Sequence, residues 1–111
     1  MKEASDGDIM DIQKRFDLRG RGALVTGSSR GIGRAIALGL AQSGAAVAAH
    51  GTGPGKNLDE TLAAIRSHAP KSVAITGDLS ESGVAERIVA DAIGALGTLD
   101  ILVVNASLQI R

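Results

Sequence analysis

An α/β fold built on a doubly wound parallel sheet is predicted by three observations. Short apolar runs suited to strands alternate with segments whose apolar residues recur at helical spacing, in the order βαβαβαβ. The strand runs are nearly continuous in Ala, Val, Ile and Leu, as strands buried on both faces require. Glycine-rich breaks follow the first and second runs, where a strand must turn sharply into the next element. Right-handed crossovers between parallel strands then place helices on both faces of an open sheet.

The first strand is Ala23–Thr26, and Ile32, Ile36 and Leu40 recur at i, i+4 and i+8 on the helix that follows. Gly44 is well placed to end that helix. Ala45–His50 reads as the second strand, and Gly51, Gly53, Pro54 and Gly55 mark an irregular loop after it. Asn57 with Glu60 predicts a capping box for a second helix, whose Leu58, Thr61, Leu62 and Ile65 share a face. That helix stops before Pro70, because the proline ring disfavours helical geometry at the residue ahead of it. Val73–Thr76 is the third strand. Ser80 is placed to cap a helix in which Val84, Ile88, Ala92 and Leu96 share a face. "LDILVVN" supplies a fourth strand, with Ile101–Val104 as its apolar stretch. Residues 1–14 read as a polar lead-in, partly disordered, with Ile9, Ile12 and Phe16 spaced for at most one helical turn.

The sequence has 111 residues, 44% of them hydrophobic, and 12 basic residues balance 12 acidic ones, which points to one globular unit. With no cysteine there is no disulfide framework and no thiolate metal site, and the cytoplasm is the expected compartment. "MKEASDGDIMDIQKRF" carries charges throughout and lacks the apolar stretch of a signal peptide or membrane span. A neutral balance and a single aromatic residue, Phe16, argue against a nucleic-acid partner. The two histidines, His50 and His68, lie near segment ends, and His68 reads as a complement to a helix dipole.

The turn between the first strand and first helix carries the chemistry. Thr26, Gly27, Ser28, Ser29, Arg30, Gly31, Ile32 and Gly33 bring bare backbone N–H groups and the positive end of a helix to one place, an arrangement that favours a phosphate or pyrophosphate. Glycines in such a turn can also serve tight geometry alone. Here the spacing is Thr26-Gly27-x-x-x-Gly31-x-Gly33, and it resembles the glycine pattern of the short-chain dehydrogenase/reductase family. The similarity runs from Phe16 onward. "GDLS" is similar to the family's adenine-contacting segment, at Asp78 and Leu79, and "DILVVNAS" resembles its Asp-x-Leu-Val-Asn-Asn-Ala-Gly, with Asn105 and Ala106 matching. Val104 and Ser107 depart from that pattern. The N-terminal wording is similar to 3-oxoacyl-carrier-protein reductase and gluconate 5-dehydrogenase members.

That resemblance implies a Rossmann-like sheet over residues 15–111, expected to be cut after its fourth strand, and a nicotinamide dinucleotide as ligand. NADP is expected over NAD. The second strand ends in His50-Gly51-Thr52, with no acid before Asp59 to bind the ribose hydroxyl, while Arg30 stands in the turn where a guanidinium suits a 2′-phosphate. Arg30 as a solvated surface charge and His50 as a structural residue are the competing readings; otherwise His50 would also contact the phosphate. The family's Tyr, its Lys four residues on, and the assisting Ser and Asn lie beyond the fourth strand, and the sequence holds no tyrosine, so no catalytic residue is assigned. The expected function is the cofactor-binding portion of an alcohol/carbonyl oxidoreductase working by hydride transfer. A non-catalytic nucleotide-binding or interaction module and a non-functional gene remnant are the alternatives. An apolar fourth strand without Lys or Pro predicts self-association or a chain that completes the sheet.

Overall fold

The structure, a computed structural model, describes residues 17–105. Within them the order is β1 (Gly22–Val25), α1 (Gly31–Gln42), β2 (Ala46–Gly51), α2 (Lys56–Arg66), β3 (Val73–Thr76), α3 (Val84–Leu96) and β4 (Ile101–Val103). The predicted lead-in helical turn and Ala106 lie outside the described residues.

All strand pairs are parallel, in the order β3-β2-β1-β4. Val25 stands opposite Ala49 on one side and Val103 on the other, and Gly51 stands opposite Thr76. The chain steps outward from β1 to β2 to β3 and then returns to the far side of β1. A crevice therefore opens at the carboxyl ends of β1 and β4, the place where ligands bind in sheets of this kind.

The period-2 alternation of the strands divides the core between two faces. Ala23, Val25, Val47 and Ala49 pack with Ala37 and Ala41 of α1 and Leu58 and Ile65 of α2. Leu24, Ala48 and Ile75 face the other way, against Ile88 and Ala92 of α3. This is the doubly wound arrangement expected, covered by α1 and α2 on one face and by α3 on the other.

Several local expectations are corrected. The buried stripe of α1 is Gly33, Ala37 and Ala41, one residue along from the expected Ile32, Ile36 and Leu40, and Ile32 is 73% exposed. The small residues allow the helix backbone to lie close to the sheet, so the larger side chains fall to its margin. The capping box at Asn57 does not form. The helix already begins at Lys56 behind Gly55, no side chain caps it, and Glu60 instead pairs with Lys56 at 3.8 Å. Nor does Ser80 cap α3, which starts behind Gly83 at φ 81°. The Ser80 hydroxyl and N–H both donate to Asp78 Oδ1, at 2.7 and 2.9 Å, closing an Asx turn. Gly44 does follow the end of α1, at φ 107°, with its N–H donating to the Ala41 carbonyl.

Candidate functional site

The glycine turn rests on main-chain groups that neighbouring strands and α2 hold in place. The Thr26 N–H donates to the Val103 carbonyl at 3.0 Å, prolonging the β1–β4 ladder by one residue. Asn105 continues that side: its N–H donates to Thr26 Oγ1 at 3.0 Å and its Nδ2 to the Gly27 carbonyl at 3.1 Å. From β2, the His50 carbonyl accepts the Ser28 N–H and the His50 N–H donates to Ser28 Oγ, each at 2.8 Å. The Ser28 hydroxyl donates in turn to the Val25 carbonyl at 2.8 Å. On the α2 side the Thr61 hydroxyl donates to the Ser29 carbonyl at 3.0 Å.

Beyond these anchors the chain changes character. Arg30 is exposed and extended, Gly31 takes the left-handed φ of 63°, and α1 begins with no side-chain cap and no acid in its first turn. The N–H groups of Gly31, Ile32 and Gly33 therefore have no carbonyl ahead of them in the helix, and the positive end of the dipole stands open. A Cβ built on Gly31 meets nothing within 4 Å, whereas one on Gly33 would run into the Gly27 carbonyl. Gly33 thus lets α1 close on the turn, and Gly31 leaves clear space above it. Uncapped donors, a positive dipole and that clear space suit a pyrophosphate, and no carboxylate lies in the turn to oppose one.

The other predicted residues gather along the same edge. Asp78 and Leu79 are exposed just after β3. The Ser80 hydroxyl, with the Ser80 N–H behind it, holds the Asp78 carboxyl below its ordinary value. His50 behaves differently from the expectation of phosphate contact. It is 2% exposed, and both ring nitrogens are taken by main-chain groups of Gly27 and Gly77, at 3.0 and 2.8 Å. The structural reading of His50 is the one this geometry supports. Ser28 is also wholly buried, and its hydroxyl serves the backbone.

One support was missed in the sequence. Thr61 was counted only as part of an apolar helix face; a hydroxyl on an otherwise buried stripe is the signal that it serves a polar partner. The loop after β2, with Ser29 and with Lys56 and Leu58 at the start of α2, borders an open hollow of about 250 Å³ beside the glycine turn. A larger hollow of about 500 Å³, lined by Arg21, His68 and Thr98 among others, lies at the opposite, amino end of the strands, away from this edge.

Comparison with known proteins matches residues 21–111 to the family described as short chain dehydrogenase. A hydroxyacyl-CoA dehydrogenase of Mycobacterium tuberculosis is 43% identical over 96 residues, covering 83% of this chain and 30% of its own length. A glucose 1-dehydrogenase of Gluconobacter oxydans is 43% identical over 96 residues, with 82% and 34% covered. The crystal structure of a 3-oxoacyl (acyl-carrier-protein) reductase from Agrobacterium tumefaciens with NADP bound superposes with a TM-score of 0.81 at 45% identity, over 96% of this chain and 40% of that one. The chain spans about a third of the length of the curated relatives it matches. With the glycine turn, the parallel sheet order and these likenesses together, the chain belongs to the short-chain dehydrogenase/reductase family.

Proposed function

We propose that this chain supplies the dinucleotide-binding part of an oxidoreductase that interconverts an alcohol and a carbonyl, with NADP(H) preferred over NAD(H). The observation that carries this reading is the uncapped N-terminus of α1 beneath a glycine turn pinned from β2, β4 and α2. The N–H groups of Gly31, Ile32 and Gly33 would take the pyrophosphate, and Asp78 with Leu79 would border the adenine. Asn105 and Thr26 would fix the floor of the crevice, and Ala106 is proposed as a further cofactor contact. The bound nicotinamide would supply or accept the hydride. Arg30, exposed at the entrance to α1, supports a 2′-phosphate, since no carboxylate occurs between His50 and Asn57 to repel one.

Titration of the purified chain with NADPH and NADH tests both levels of the reading. NADPH is expected to bind about tenfold more tightly, the effect of one charge-assisted contact. Equal or NADH-favoured binding overturns the preference, and binding of neither overturns the dinucleotide site.

A second element of the proposal concerns β4. Among the described residues it pairs only with β1, and Leu102 and Val104 are 52% and 66% exposed. This favours a further strand on its outer edge, from a completing chain or from a second copy. Among the described residues no helix is long and apolar enough to cross a membrane. The cytoplasm is proposed as the compartment on the cysteine-free composition.

A further inference from the structure

The His50 ring lies buried between two main-chain groups that belong to different loops. Nδ1 accepts the Gly27 N–H at 3.0 Å, and Nε2 stands 2.8 Å from the Gly77 carbonyl oxygen. A carbonyl oxygen cannot donate, so Nε2 carries the proton and Nδ1 the lone pair; the ring is the neutral Nε2–H tautomer. Gly27 opens the glycine turn, and Gly77 immediately precedes Asp78 and Leu79. These loops follow β1 and β3, which are not neighbours in the sheet, since β2 separates them. No β1–β3 ladder joins the two loops, and the imidazole of His50 spans the gap.

Both anchors are closely packed. A Cβ on Gly27 would lie 2.9 Å from the Asn105 carbonyl oxygen. One on Gly77 would lie 2.8 Å from Val84 Cγ1 on α3 and 2.5 Å from Arg87 Nη2. Both glycines are thus closely packed, and the rigid ring joins them at one distance.

Resting on the dinucleotide site proposed above, we propose that His50 is a positioning residue for that site: its ring tethers the phosphate-facing turn to the Gly77–Leu79 loop. The pyrophosphate and adenine surfaces are thereby held at one spacing before any ligand arrives. Preorganisation of this kind raises affinity by reducing the ordering that binding must otherwise bring about. His50 itself touches no ligand, because its ring is buried and both nitrogens are engaged.

Two substitutions separate the halves of the tether. Asparagine places its side-chain oxygen near the Nδ1 position, so His50→Asn keeps an acceptor for Gly27 and loses Gly77. Glutamine reaches the Nε2 position, so His50→Gln keeps a donor for Gly77 and leaves Gly27 without an acceptor. In the full chain, Gly27 amide exchange is expected to be slow in the parent and in His50→Asn, and about tenfold faster or more in His50→Gln. NADP+ affinity is expected to fall in both variants, because the loss of either hydrogen bond frees the spacing between the two loops. Equal Gly27 exchange in the two variants, or NADP+ binding as tight as the parent's in either of them, overturns the proposal. A parent that shows the Gly27 pattern but does not bind NADP+ supports the tether and overturns the dinucleotide reading alone. Should neither variant fold, the ring ¹⁵N shifts of His50 in the parent decide: a bare Nδ1 and protonated Nε2 support the tether, and the opposite tautomer overturns it.

Discussion

The side chain of Asn105 and the carbonyl of Gly27, 78 residues apart, are joined by a hydrogen bond of 3.1 Å across the crevice between β4 and β1. The backbone N–H of the same asparagine reaches Thr26 Oγ1 at 3.0 Å, so one residue serves two groups at the root of the turn. Asn105→Leu strips the Gly27 carbonyl of its side-chain donor. It is expected to lower stability by about 1–3 kcal/mol and to weaken NADP+ binding. Asn105→Asp should be the worse variant, because an ionised carboxylate can only accept and would face the carbonyl oxygen. Thermal unfolding with NADP+ titration checks both, and a neutral effect of either substitution would count against the arrangement.

Gly31 and Gly33 should respond differently to alanine. At Gly33 the added Cβ meets the Gly27 carbonyl, and Asn105 Nδ2 lies 2.7 Å away, so backbone must shift. Gly33→Ala is expected to lower both stability and dinucleotide affinity. At Gly31 the space is open, and the expected penalty is the left-handed φ of 63° alone, about 1 kcal/mol. Gly31→Leu should keep the fold and abolish most NADP+ binding, since its side chain occupies the room above the helix N-terminus. Circular dichroism and NADP+ titration of the three variants separate these outcomes.

How much of this was legible in the sequence follows from the range of each signal. Strand and helix order could be read because Val73–Thr76 or Val84, Ile88, Ala92 and Leu96 declare their period locally, and the structure places these as expected. The helix starts could not. Asn57–Glu60 satisfies the capping pattern, but the chain entering α2 from Gly55 begins the helix at Lys56 and carries both residues past the cap position. The stripe on α1 was misjudged because larger apolar residues dominate a periodicity count, while the close approach of α1 to the sheet selects Gly33, Ala37 and Ala41. At the site, the turn was legible through its glycines. The supports contributed by Thr61 and by the His50 ring were not, because each depends on a partner at least 23 residues away.

Acid should weaken the fold partly through Asp100. Its carboxylate accepts the Gly22 N–H at 3.0 Å, and that bond, with the Thr98 hydroxyl and Arg21 assisting, holds its pKa below the ordinary value. A group whose folded value is depressed stabilises fully above its unfolded value and loses that contribution as pH falls through the folded one. Asp78 shifts in the same direction through Ser80. The thermal midpoint is therefore expected to fall as pH drops below about 4. Asp100→Asn should lower the midpoint at neutral pH and flatten that acid limb. An unchanged acid limb in the variant would remove Asp100 from the account.

In the proposed preference for NADP(H), Arg30 is the residue expected to discriminate. It is exposed at the entrance to α1 and makes no ion pair among the described residues. Arg30→Ser should therefore leave thermal stability nearly unchanged, as surface substitutions generally do. NADPH binding is expected to weaken about tenfold while NADH binding stays level, because only the former bears the 2′-phosphate that the guanidinium would meet. A parallel loss for both cofactors would show Arg30 acting on the pyrophosphate or on the turn itself.

The outer edge of β4 supplies the last expectation. Leu102 projects from the middle of that three-residue strand, half exposed, and Ile93 of α3 is also half exposed. An apolar strand edge with open N–H and C=O groups is a template for pairing, and a charged residue on it opposes that pairing. The purified chain is expected to elute from a sizing column as a species larger than 11.2 kDa, with the proportion rising with concentration. Leu102→Lys should shift it toward the monomer without changing the far-ultraviolet spectrum, because residue 102, although on the same face of the sheet as its register partner Leu24, is half exposed at the edge. A parent that stays monomeric at every concentration would sink the self-association arm, leaving a strand from another chain as the only occupant the proposal allows. An assembly that Leu102→Lys does not disturb would place the contact elsewhere on the surface.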